Sequence, residues 1–130
     1  MKPIPKIIEL ARKLYAAGYR KKMREGDWGI YDNQLILILK ASNSYLQAFY
    51  DDKILSTIEA NLPIEDCIPI PTLTNCLTWL AENGHHPELW HHKAVGEWVC
   101  QCNPPRSLQK SAPTPTEAAY LAMIKILEEE

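Results

Sequence analysis

The sequence predicts an α+β protein: an antiparallel sheet built from two β-hairpins, with room for a further strand and three main helices packed against it. Three observations carry this. Three separate stretches repeat apolar residues at helical spacing, two pairs of strand-like segments flank turn-forming residues, and Gly or Thr-Pro falls where helices should stop or start. At 130 residues the chain falls within the usual single-domain range of roughly 100–150, so one domain over residues 1–130 is expected.

Lys6 to Ala17 puts Ile7, Ala11, Leu14 and Gly18 on one stripe, with Lys6, Glu9, Arg12 and Lys13 mostly elsewhere, which predicts an amphipathic helix ended by Gly18. Trp28-Gly29-Ile30-Tyr31 and Leu35-Ile36-Leu37-Ile38-Leu39 flank Asp32-Asn33, a pair that tolerates the positive φ of a tight hairpin turn. Ala41 to Ile68 fits helix or strand by pattern. Tyr45 to Tyr50 is read as a third strand continuing the meander, with Asp51-Asp52-Lys53 as a turn. Ile68-Pro69-Ile70-Pro71 is extended, because each proline pushes its predecessor out of the helical region.

Thr72 caps a second helix from about Leu73 to Asn83, with Leu73, Cys76, Leu77, Leu80 and Ala81 on its apolar face and Gly84 beyond its end. Glu88 to His92 and Glu97 to Cys102 form the second hairpin around Lys93-Ala94-Val95-Gly96. Direct pairing puts Leu89, His91, Trp98, Cys100 and Cys102 on one face. Asn103 to Pro113 reads as a proline-bearing loop. Thr114-Pro115-Thr116-Glu117 is a capping box with proline at the first helical position, opening an Ala-rich helix to about Glu128. Glutamates at that helix's C-terminus oppose its dipole, so the last turn should fray. Helix, glycine and then Gly-acid-Trp recur in both halves, at Gly18 with Gly26-Asp27-Trp28 and at Gly84 with Gly96-Glu97-Trp98. Two similar helix-plus-hairpin units sharing one sheet would account for that echo, as would chance.

A hydrophobic content of 46% with 23% charged residues is ordinary globular composition. The net charge of -2 supplies no global field toward nucleic acid or an anionic membrane, so any polyanion contact has to be local. Met1-Lys2-Pro3-Ile4-Pro5-Lys6 lacks an apolar stretch behind it, and no run of about 18 apolar residues occurs, so a cytoplasmic protein without membrane contact is expected. Cys67, Cys76, Cys100 and Cys102 should then stay reduced and act as small buried hydrophobes.

The helix at Leu73 to Ala81, the Trp-containing hairpin and the closing Pro113-Thr114-Pro115-Thr116-Glu117-Ala118-Ala119-Tyr120-Leu121-Ala122 resemble small uncharacterised phage and prophage proteins of an ABA-sandwich-like kind. The likeness covers roughly the second half. Ala17-Gly18-Tyr19-Arg20 and Gly26-Asp27-Trp28 look like the same loose group. The resemblance implies a helix, an antiparallel sheet and a final helix in succession, and brings no activity with it.

Four constellations bear on function. His85, His86, His91, His92, Cys100 and Cys102 supply the ligand types of a zinc site, but the spacing is not that of a zinc motif and strand alternation sends His92 away from His91, Cys100 and Cys102. A half-buried His91 on an otherwise apolar face is the plainer reading. Arg20, Lys21, Lys22 and Arg24, followed by Trp28 and Tyr31, combine phosphate-neutralising cations with aromatics that stack on bases, diluted by Glu25 and Asp27. The sequence has no phosphate-cradling glycine loop, nucleophile elbow or HExxH helix, and the adjacent pairs Asp51-Asp52 and Glu65-Asp66 are expected to point apart. Neither a catalytic residue nor a cofactor is expected.

The last constellation is apolar surface. Trp79 lies off its helix's main stripe, Trp90 faces away from Trp98, and the final helix carries apolar residues on several sides, Met123 and Ile126 among them. Such a helix needs a cover, from a second subunit or from a loop of the chain such as Ala41 to Asn61. The leading expectation is therefore a non-catalytic accessory or adaptor protein that self-associates or binds another protein. Nucleic-acid binding ranks second and metal binding third.

Overall fold

The computed structural model describes residues 2–42, 44–50, 59–102 and 108–129. In chain order the elements are α1 (Pro5–Ala16), β1 (Trp28–Tyr31), β2 (Gln34–Ala41), β3 (Tyr45–Tyr50), β4 (Glu59–Pro63), a 3-10 turn (Ile64–Asp66), β5 (Ile68–Pro69), α2 (Leu73–Glu82), β6 (Pro87–His92), β7 (Glu97–Cys102), β8 (Leu108–Ala112) and α3 (Pro115–Glu128). The class is α+β. Among the described residues no helix is long and apolar enough to cross a membrane. Two compact units are present: one takes the chain up to Tyr15 together with Arg20–Ile70, the other Ala16–Tyr19 together with the chain from Pro71 onward.

The first unit holds a five-stranded antiparallel sheet in the order β4-β3-β2-β1-β5. Asp32 and Asn33 join β1 to β2 with φ of 49° and 62°, and Tyr31 pairs directly with Gln34. Positive φ at both central residues is the two-residue turn whose twist matches the strands. On β2, Ile36 and Ile38 are buried while Leu35 and Leu37 are half-buried, as alternation in a sheet dictates. The buried face gathers Met23, Ile36, Ile38, Leu46, Ala48, Leu62 and Cys67 into one cluster, with Tyr31, Tyr50 and Ile64 packed against it.

Met23 reaches this cluster because Gly29 has no side chain. A Cβ there would overlap Met23 Cε and lie 3.1 Å from the Ile68 carbonyl oxygen. β5 is a two-residue edge strand whose Pro69 costs the ladder little, consistent with the extended segment expected there. Tyr45–Tyr50 is the expected third strand. β4, which pairs with it, lacks a pattern that reads as strand, and Asp51-Asp52-Lys53 lies outside the described residues.

The second unit is a three-stranded antiparallel sheet, β6-β7-β8, with α3 packed on β7, β8 and α2. The hairpin register is the direct one: Leu89 opposite Cys100, His91 opposite Trp98, His92 opposite Glu97. The two hairpins therefore belong to two sheets instead of one. Leu108–Ala112, expected within a loop, is a third strand opposite Trp98 to Cys102. Residues 103–107 lie outside the described residues.

α3 is buried on most of its girth, at Ala118, Ala119, Tyr120, Ala122, Met123 and Ile126, because three alanines let neighbouring backbone approach closely. Within this unit the Tyr120 hydroxyl donates to the Pro71 carbonyl, giving the buried phenol its partner. Thr114 caps α3 and accepts from the Glu117 amide at 3.2 Å, while its hydroxyl donates to the Glu117 carboxylate at 2.7 Å.

Candidate functional site

The basic segment after α1 is shaped by Asp27. Its Oδ2 accepts from the Arg24 backbone amide at 2.8 Å and pairs with Lys21 Nζ at 2.6 Å, while Gly26, at φ +89°, makes the bend. Lys21 is thereby spent on an internal partner. Arg20 is held another way: its guanidinium carbon lies 3.7 Å over the Tyr15 ring and Nη1 donates to the Tyr15 carbonyl at 2.8 Å. Lys22 and Arg24 are exposed.

Arg20, Lys21 and Lys22 line a cleft of about 630 Å³ with Tyr15, whose floor includes Ile64, Cys67 and Pro69 and whose rim carries Glu65. Three of the four expected cations thus share one concavity. The expected aromatics do not: Trp28 and Tyr31 are half-buried on β1, and Tyr31 packs on the sheet's core cluster. The aromatic that does line the cleft is Tyr15, which comes from α1. Cys67, on the floor, donates to the Pro63 carbonyl at 3.3 Å, and burial, followed by repulsion from Asp66 and Glu65, pushes its thiol up to about 11. A protonated thiol there is no nucleophile at neutral pH.

The histidines and cysteines of the second unit scatter. His85 is buried and stacked on Trp79, with ring centroids 6.4 Å apart and planes 15° from parallel, and its Nδ1 has no hydrogen-bond partner among the described residues. His91, expected half-buried, is exposed, with its ring 5.2 Å from that of Trp98. His92 is exposed too, 5.7 Å from Trp90. Cys100 and Cys102 are both buried on the helix-covered face. The Cys100 thiol donates to the Cys102 sulfur, which raises the first thiol's pKa and lowers the second's. Among the described residues no three His, Cys, Asp or Glu side chains converge as metal ligands would.

Of the apolar candidates, Met123 and Ile126 are both 0% exposed, so neither belongs to an outer surface. The chain covers its own last helix. Trp79 is half-buried between Tyr19, which meets it edge-on at 6.4 Å, and His85. Trp90 is 36% exposed on the face of the three-stranded sheet opposite Cys100, where it borders a shallow depression of about 240 Å³ with His92, Val95, Val99, Gln109 and Ser111. Val95, at the hairpin tip, is 61% exposed. Glu65 and Asp66 are exposed side by side in the 3-10 turn, and Asp51-Asp52 lies outside the described residues.

The fold and these surfaces define an α+β protein that carries, among the described residues, a basic cleft and a sheet face with an exposed indole. No family model, curated protein or solved structure matches the chain.

Proposed function

We propose that this is a non-catalytic accessory protein that acts by macromolecular contact, and that it self-associates through its three-stranded sheet at Trp90. The observation that carries the reading is Trp90, a large aromatic 36% exposed on a strand whose neighbours His92 and Val95 are exposed as well. Indole surface left in water beside a shallow depression is what protein interfaces bury. The resemblance of the second half to small phage and prophage proteins supports such an accessory setting without specifying a partner. Light scattering on a size-exclusion column tests it: the expected result is a mass above the 14.9 kDa chain that does not change with salt. A strict monomer at micromolar concentration removes the reading.

A second reading, local nucleic-acid binding, draws on the cleft of Arg20, Lys21 and Lys22 with Tyr15. A guanidinium stacked on a ring and lining a concavity suits a phosphate next to a base. Lys21's pairing with Asp27 and the net charge of -2 weaken it. Adding a mixed single-stranded oligonucleotide in the same experiment separates the two: a shift only at low salt, lost in Arg20→Ala/Lys22→Ala, would put the cleft first.

A further inference from the structure

We propose that the free edge of β6 is the self-association interface: a second copy of this chain adds its own β6 antiparallel, across a twofold axis normal to the sheet at Trp90, joining two three-stranded sheets into one of six. This rests on the self-associating reading above and names its surface and register.

Among the described residues β6 is paired with β7 on one side only. Four of its six residues, Glu88, Trp90, His91 and His92, are exposed, whereas on β7 Val99, Cys100 and Cys102 are buried. Sheet edges are ordinarily protected from a further strand by shortness, proline, lysine or a bulge. The other three edges among the described strands carry such features: β5 is two residues ending in Pro69, β4 ends in Pro63, and β8 has Lys110 at its centre. β6 has its only proline, Pro87, at its first position, and its register with β7 runs unbroken from Pro87 to His92. Its interior, Glu88 to His92, carries neither proline nor lysine.

The register follows from side-chain chemistry. An axis normal to the sheet keeps each face on its own side, so opposed residues must share a face. Centred on Glu88, that arrangement sets two carboxylates against each other. Centred on Leu89, it leaves Glu88 facing an indole, and centred on His91 it opposes two imidazoles. Centred on Trp90, it places Glu88 opposite the partner's His92 twice, an acceptor against an N–H donor, and Trp90 opposite the partner's Trp90. The indoles then cover each other on the face that carries the depression, with Leu89 opposite the partner's His91 on the other. Only this register gives every central residue a compatible neighbour.

The test uses the full chain. Wild type should run at about twice 14.9 kDa, and Trp90→Lys, at an already exposed position, should run at the chain mass with an unchanged circular dichroism spectrum. Trp90→Cys should form an intermolecular disulfide with oxidised glutathione, because directly opposed strand positions lie within disulfide reach, whereas Val95→Cys at the hairpin tip should not. A wild-type dimer that survives Trp90→Lys while Trp90→Cys stays uncrosslinked overturns the β6 edge and leaves self-association standing. A wild-type monomer overturns both. If Trp90→Lys fails to fold, the crosslinking pair decides alone.

Discussion

A buried imidazole with an unpartnered ring nitrogen costs free energy, and His85 is such a group. It is 5% exposed, its Nδ1 has no hydrogen-bond partner among the described residues, and its ring lies nearly parallel to Trp79. Its backbone amide donates to the Leu80 carbonyl at 2.8 Å, and the ring is held by packing. His85→Phe keeps the aromatic stack and removes the unpartnered nitrogen, so the variant should be neutral or stabilised by about 1 kcal/mol in urea unfolding. A loss larger than that would show that the imidazole nitrogens have work the fold does not explain. Gly29 is the converse case, a residue that matters because it has no side chain. Met23 and the Ile68 carbonyl occupy the space a Cβ would need, and the cluster under the five-stranded sheet closes through that gap.

At the scale of elements, α2 begins on a reciprocal cap: Thr72 Oγ1 accepts from the Asn75 amide at 3.1 Å and Asn75 Oδ1 accepts from the Thr72 amide at 3.0 Å. Thr72→Ala removes one half and should cost about 1 kcal/mol, read as a lower urea midpoint with an unchanged slope. A change below a few tenths of a kcal/mol would mean that packing alone starts the helix. Caps and turns of this kind are why so much of the element order is legible in the sequence. Asp32-Asn33, Thr72, Gly84 and Thr114-Pro115 each act through neighbours three or four residues away. β4 and β8 were hidden for the opposite reason: Glu59–Pro63 and Leu108–Ala112 are short, poor in large apolar residues, and defined by pairing with β3 and β7. The candidate surfaces divide the same way. Arg20, Lys21 and Lys22 are visible as a charge run, but Tyr15 joins them only because the chain turns back at the end of α1. Met123 and Ile126 look exposed in isolation because sequence periodicity cannot say that the chain itself supplies the cover.

Across the whole molecule, both units bury groups that must stay protonated. Burial is the leading cause that raises Cys67, Cys76 and Tyr120 above their ordinary values, and for Cys100 the hydrogen bond to Cys102 comes first, with burial second. A thiol whose pKa is higher folded than unfolded holds its proton more tightly in the native state. Its contribution to stability is therefore complete below the unfolded value of 9.0 and is lost as pH rises through the folded one, about 11 for Cys67. Cys102, lowered by its bond from Cys100, runs the other way below pH 9: its contribution grows toward the unfolded value and is complete there, so it leaves the decline above that pH untouched. Melting temperature, followed at constant ionic strength from pH 7 to 10.5, should hold or rise slightly to about pH 9 and then fall. Cys67→Val should melt with a shallower alkaline decline than wild type, whatever its stability at pH 7, because it removes one of the linked protons. A melting temperature that stays flat to pH 10.5 would mean that the buried thiols ionise as readily in the folded chain as in the unfolded one, and that water reaches them despite their burial.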